Sequence, residues 1–408
     1  LGLNPFHHHW LRARHDGDTS SLWDFSFNYL AAKADKFARL DQIPNSPLSG
    51  LDYAFHFDAG LYARYLRQGC EGAGVTRVEG LIHHVERNGE TGDILAVKLA
   101  NGARVEGDFF IDCSGFRALL IGEAMGVGYQ DWTHWLPCDR AVAVPAHNGP
   151  RLRPYTQSIA HTAGWQWRIP LQHRAGNGHV FCSGFISDDE ATAQLMDSLE
   201  GEALAEPRVL KFTTGRRDAF WVKNCVAIGL SAGFMEPLES TSIHLIQAAV
   251  VRLAQMFPAS GCDAAVTAEY NRQLAFEYDS IRDFIILHYH LNSRSDSAFW
   301  RACANMAIPD GLAHRIRLFR DAGLIFRDNN ELFAEVAWLQ VMVGQGLMPV
   351  SFSPLADGVG KGQLFEYLAN MKKIMSATVR RLPSHADFIA SHCASNFASH
   401  GAGAGAGQ

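Results

Sequence analysis

Glu239 is followed by Ser240, Thr241 and Ser242, and then by the apolar run that begins at Ile243. Ser and Thr in that position mark a helix start. A helix N-terminus carries unpaired N–H groups and a partial positive charge, so the mouth beside Glu239 suits an anion such as a phosphate, a carbonyl oxygen or a halide. The plain reading of a single glutamate there is a charge that complements the helix dipole. Just upstream, Gly229-Leu230-Ser231-Ala232-Gly233 follows a strand and matches the Gly-x-Ser-x-Gly nucleophile elbow of α/β-hydrolases, with Ser231 as nucleophile. That motif needs a helix directly behind the serine, and Pro237 would break it.

Gly164-Trp165-Gln166-Trp167-Arg168-Ile169-Pro170 places two tryptophans at i and i+2. In an extended segment both indoles point to one face, and Pro170 limits the strand. The face is either a sheet surface packed on a core or an aromatic wall for a flat apolar substrate or channel.

The rest of the chain must position these groups. Its 408 residues suffice for two intimately packed modules, and 47% apolar with 19% charged residues is an ordinary globular composition. A net charge of −6, from 36 basic and 42 acidic residues, comes without a basic run that would suit nucleic acid or a membrane surface. No segment reads as a membrane span or a signal peptide. Eight cysteines without a Cys-x-x-Cys pair read as reduced thiols of a cytoplasmic protein. His7-His8-His9 has no ligand cluster nearby and reads as incidental.

A weak helical pattern covers Leu22 to Leu40, and a helix is expected over Asp58 to Cys70. Strands are expected over 80–85, 94–99 and 109–112, with turns at Asn88-Gly89 and Asn101-Gly102. Gly115 follows the last of these and suits close backbone approach to a ligand. Further strands run to Ile186. A strand over 224–230 then leads to a helix from about Ser240 to Phe257. After Pro258 only helices are expected, over 263–290, 308–322, 331–346 and 361–381. The expected organisation is an α/β module over 1–258, a helical module over 259–395, and a disordered Gly/Ala tail over 396–408.

The Trp-x-Trp-x-Ile-Pro element, Phe110-Ile111-Asp112-Cys113-Ser114-Gly115-Phe116-Arg117 and Glu236-Pro237-Leu238-Glu239-Ser240-Thr241 together resemble the flavin-dependent (tryptophan) halogenase family. His56-Phe57-Asp58-Ala59, His288-Tyr289-His290 with Arg294, Phe299-Trp300 and Gly344-Gln345-Gly346 look like further landmarks of it. The resemblance implies a glutathione-reductase-like, flavin monooxygenase-like FAD module plus a helical substrate module. It also implies reduced FAD from a separate flavin reductase, oxygen, and chloride or bromide turned into hypohalous acid. The halide would rest on the backbone N–H groups of Thr241 and Ser242; many members have Gly where Ser242 stands, which leaves the backbone donor intact. Leu230 and Ile243 would contact the flavin, with Ile82, Ser114 and Gly115 along its nucleotide half. Trp165 and Trp167 would line a tunnel to the arene. There Glu239, helped by Ser240, would orient the halogen and assist deprotonation.

Two departures from the family pattern stand out. The Gly-rich dinucleotide fingerprint on a first β-α unit and the catalytic lysine after it are absent, so roughly a hundred residues that would hold the flavin pyrophosphate lie outside this sequence, which starts at Leu1. Members that take free tryptophan anchor its backbone with a tyrosine pair and a glutamate before an aromatic residue matching Trp338. The stretch 325–333 has no tyrosine, and Glu331 looks out of register. The expected substrate is therefore an indole or other electron-rich arene, stacked on Trp338. The other readings are a flavin-dependent aromatic hydroxylase, a non-catalytic truncated remnant and, more remotely, the Ser231 hydrolase. A homodimer is compatible with the sequence, which does not fix the oligomeric state.

Overall fold

The computed structural model describes residues 4–259, 261–329 and 331–393; the expected tail over 396–408 lies outside the described residues, as does Asn330. Three helices come first: α1 (Phe6–His15), α2 (Phe27–Lys33) and α3 (Ala59–Gly72). Helix α3 matches the expected helix to within two residues at each end, and Asp58 caps it by accepting from the N–H groups of Gly60 and Leu61. Helix α1 was not expected, because three histidines in a row break the apolar pattern. They are nonetheless buried. His7 Nε2 meets the Gly323 carbonyl at 2.7 Å, and the Ser353 N–H donates to His8 Nδ1 at 3.1 Å. The histidine run is thus a set of pins between the first helix and the C-terminal region.

The meander β1 (Ile82–Arg87), β2 (Ile94–Leu99), β3 (Arg104–Glu106) is antiparallel, with Asn88 organising the first turn through its side chain. Strand β4 (Phe110–Asp112) then ends at Ser114-Gly115. After β5 (Tyr129–Asp131) come β6 (Arg140–Ala146), β7 (Gln157–His161), β8 (Gly164–Pro170) and β9 (Ala175–Phe181), followed by α4 (Asp188–Asp197) and β10 (Arg208–Lys211). Strands β6 to β10 form one antiparallel sheet in the order β10-β6-β9-β8-β7. The tryptophan motif is its strand β8, flanked on both sides, and the His56 ring holds the Pro170 carbonyl at its end. The last strands are β11 (Gly215–Arg217), β12 (Trp221–Val222), β13 (Cys225–Ala227) and β14 (Gly233–Phe234). Strand β13 lies parallel to β4, so both deliver their C-terminal turns to one edge.

Helices α5 (Ser242–Gln255), α6 (Ala264–His290), α8 (Asp310–Ala322), α9 (Glu335–Gly344) and α10 (Lys361–Arg381) lie where helices were expected; α7 (Ala298–Asn305) and α11 (His385–His392) are short and were not. Beyond residue 258 the described elements are helices, and packing crosses that point. One apolar core joins Trp10, Val142, Trp165, Val226, Phe284 and Trp338. A smaller one joins Phe27, Ala31, Ile43 and Leu51 to Met371, Met375 and Val379 of α10. The first fifty residues therefore rest on the C-terminal helices, fixed also by Arg12 donating to the carbonyls of Ala356 and Val359.

Candidate active site

The turn before α5 is built from Pro237-Leu238-Glu239 in a 3-10 turn and Ser240 in the left-handed region at φ 54°. A non-glycine residue there costs about 1–3 kcal/mol and persists only where its surroundings impose it. The corner exposes Ser240 and starts the helix abruptly at Ser242, with Thr241 as cap residue. Thr241 does not cap the helix with its side chain; its hydroxyl is buried and has no hydrogen-bond partner. No acidic residue occupies the first turn. The N–H groups of that turn and one spare hydroxyl thus converge without a counter-charge from the helix itself, which is the donor set a small anion requires.

Glu239 faces α6. Its Oε1 lies 2.8 Å from His288 Nε2, while His288 Nδ1 lies 2.8 Å from the Phe284 carbonyl. Both ring nitrogens face acceptors, so one proton must sit between Nε2 and the carboxylate. The pair opens into a cleft of about 360 Å³ lined by Trp23, Phe284, Gln340, Val341, Gly344 and Gln345 among others. A second space of about 320 Å³ shares His288 and Gln345 and is walled by Trp165, Leu238, Tyr289, Arg294 and Trp300. The two indoles of β8 lie on one face, 6.2 Å apart and tilted 59°. Only Trp165 reaches this second space; Trp167 lies over Gly178 of β9, where a Cβ would come within 2.0 Å of its ring.

At the edge made by β4 and β13, Asp112 is fully buried and its carboxylate accepts from the N–H groups of Ser114, Leu120 and Ile121 and from the Ser114 hydroxyl. This fixes Gly115, at φ 73° with open space where a Cβ would project, beside the 3-10 turn that carries Leu230. Leu230 and Ile243 are 39% and 44% exposed, leaving an apolar rim next to the α5 N-terminus. An open glycine, an apolar rim and free helix N–H groups fit the ring system of a flavin. Ile82 lies apart on β1, half-buried and paired with Leu99.

Three residues weighed in the sequence are committed to structural contacts. Ser231 is buried, and its hydroxyl donates to the carbonyls of Asp112 (2.5 Å) and Ile228 (3.1 Å), so it is committed to structure and no nucleophile. Trp338 is 1% exposed, edge-on to Phe284 and covered by the Arg315 guanidinium at 4.1 Å, one layer behind the cleft. Glu331 is held bidentately by Arg315 at 2.7 and 2.9 Å and is turned away from the cleft. Sequence reading also missed Trp23 and Gln340. Trp23 stands among Leu22, Phe25 and Phe27 in the N-terminal arm, where nothing in the local pattern sets it apart from its apolar neighbours. His288 belonged to a quoted motif but had no role until its distance to Glu239 was known.

The sequence profile of the tryptophan halogenases matches residues 1–361. The chain belongs to the tryptophan halogenase family. Among curated relatives it is 34% identical to tryptophan 7-halogenase RebH of Lentzea aerocolonigenes over 370 residues, covering 86% of this chain and 69% of RebH. It is 37% identical to tryptophan 7-halogenase KtzQ of a Kutzneria species over 325 residues, 78% of this chain but only 60% of KtzQ. A solved flavin-dependent halogenase from Xanthomonas campestris is 49% identical with a TM-score of 0.92, covering 96% of this chain and 78% of that one. The flavin-dependent halogenase BrvH from Brevundimonas sp. BAL3 is 46% identical with a TM-score of 0.93, at 96% and 80% coverage. As a tryptophan halogenase family member the chain is a flavin-dependent halogenase, an oxidoreductase that uses FAD and halide, and the hydroxylase, hydrolase and remnant readings give way to it. Among the described residues no helix is long and apolar enough to cross a membrane, and no cluster could hold a metal ion.

Proposed function

We propose that this halogenase acts on an electron-rich arene of indole type without the charged groups of a free amino acid. The observation that carries the reading is the Glu239–His288 pair in a cleft walled by Trp23, Phe284, Val341 and Gln340, with no lysine or arginine among its lining residues. Glu331, the glutamate nearest in sequence to the expected amine anchor, is consumed by Arg315. Bound reduced FAD, supplied by a separate reductase, would furnish hypohalous acid from oxygen and chloride or bromide. Thr241 and Ser242 would hold the halide by their N–H groups, assisted by the Thr241 hydroxyl. Ser114, Gly115, Leu230 and Ile243 would hold the cofactor, with Ile82 further along it. Trp165 would wall the passage, with Trp167 behind it. Glu239 would orient the halogen and take the ring proton, and His288 would hold its carboxylate in place.

The FAD module proposed here is completed by a first β-α unit bearing the Gly-rich turn and a lysine. No residue of α3 is buried although it carries Leu61, Tyr62, Tyr65 and Leu66, and Ile111, Phe116, Ile246 and Val250 are exposed as well. Uncovered apolar side chains of this kind would suit a covering element. All eight cysteines are free, which supports a reducing, cytoplasmic setting.

The test is product analysis on the full-length protein with a flavin reductase, NADH, bromide or chloride, and either indole or free tryptophan. Halide-dependent haloindole in excess over halotryptophan is expected. A phenol formed without halide, or strong preference for free tryptophan, overturns the reading.

A further inference from the structure

Glu236 is fully buried, at 0% exposure, and neither of its oxygens makes a standard hydrogen bond with another protein atom. It lies three positions before Glu239, across the Pro237 turn. The polar atoms that face it are the Tyr289 hydroxyl of α6, the Trp165 indole N–H of β8 and the Cys138 thiol ahead of β6. The Cys303 thiol of α7 and the His288 ring feel its charge. Trp165 Nε1 is itself buried and without a standard partner, and Tyr289 Oη lies 3.5 Å from Cys138 Sγ. An unsatisfied donor thus faces an unsatisfied acceptor in a buried position, and native structures rarely leave such a pair without a purpose.

We propose that Glu236 is a positioning residue that, as a neutral acid, orients Trp165 and Tyr289 and leaves Glu239 as the one carboxylate that pairs with His288. A protonated carboxyl can accept from the Trp165 N–H on its carbonyl oxygen and share its own proton with the Tyr289 hydroxyl. An ionised one would sit buried without a cation in contact, which is costly. Its charge would also act on the His288 ring that Glu239 holds. Burial, partly offset by these donors, raises the Glu236 carboxyl to about 7, so the neutral form prevails below that pH and is lost above it. The role rests on reading Glu239 as the catalytic carboxylate, and E239Q tests that reading separately.

The experiment follows the Trp165 indole ¹⁵N–¹H resonance, assigned with W165F, together with halogenated product per flavin oxidised, across pH 5.5 to 9. In the unaltered protein the resonance should move with a midpoint near 7, and product yield should fall over the same range. E236Q, a neutral isostere, should keep yield within about threefold, hold the resonance still and remove the alkaline fall. E236L should lose tenfold or more in yield, with peroxide released instead. A Trp165 resonance that does not titrate in the unaltered protein, or E236Q retaining the alkaline fall, overturns the proposal. If E239Q halogenates at full rate, the underlying assignment of Glu239 fails, whatever Glu236 does.

Discussion

His288 bridges Glu239 and the backbone of its own helix, with 2.8 Å to the Glu239 carboxylate on one nitrogen and 2.8 Å to the Phe284 carbonyl on the other. The helix carbonyl fixes the ring's orientation, so the proton shared with Glu239 points along one line. The Glu239 side chain, 31% exposed, still reaches the cleft.

Removing His288 should therefore resemble removing Glu239. H288F and E239Q are each expected to lower kcat for halogenation by about 10²–10⁴-fold, with the double variant little worse than either single one. Flavin oxidation measured in parallel should be unchanged. Equal losses that multiply in the double variant would show two independent roles instead.

Trp23 lines the cleft and abuts Gly344 of α9, where an added Cβ would lie 3.4 Å from its ring. A flat arene between this indole and the Phe284 wall gains stacking as well as burial. W23A should raise KM for indole about tenfold while sparing kcat, and W23F should recover most of the loss. Steady-state kinetics with both variants checks this; a kcat effect at constant KM would move Trp23 from binding to chemistry.

Much of this site was legible from sequence where the signal was local. Ser240-Thr241-Ser242 before an apolar run announces a helix start, and the structure begins α5 at Ser242. The i, i+2 spacing of Trp165 and Trp167 announces a shared face, and they share one. What stayed hidden depends on contacts far apart in the chain. Trp338 looked like a substrate platform until Arg315 was found lying over it. Trp23 comes to the cleft because the N-terminal arm rests on α10. The buried histidines of α1 carry no periodic pattern, since their partners are backbone groups of residues 323 and 353.

Gly178 gives a stability prediction at the tryptophan wall. It pairs with Trp167 across β8 and β9, and its missing Cβ leaves the space the indole occupies, with Cζ2 2.0 Å from where that atom would be. G178A should destabilise the fold by about 1–3 kcal/mol through overpacking. Because the clash is with the outer part of the indole, W167F in the same chain should restore part of the loss. Thermal melts of the two single variants and the double decide it. A G178A variant as stable as the unaltered protein would mean that the Trp167 ring is free to leave this position.

Acid sensitivity should come from two buried histidines. Burial pushes His8 and His179 down to about 4; the neighbouring rings of His7 and His9 add to this for His8, and that of His161 for His179. His8 Nδ1 accepts the Ser353 N–H and cannot do so once protonated there, and His179 Nε2 has no acceptor to receive a proton. A histidine whose folded value lies below its unfolded one contributes stability that is full above the unfolded value. That contribution is lost as pH falls toward the folded value. The loss should thus begin near pH 6.5 and continue to about 4, at up to about 1.4 kcal/mol per pH unit for each group. Urea denaturation at pH 7.5, 6 and 5 measures the slope. Replacing His179 by glutamine should lower stability at pH 7.5 yet flatten the dependence below 6.5, and an unchanged slope would place the acid sensitivity elsewhere.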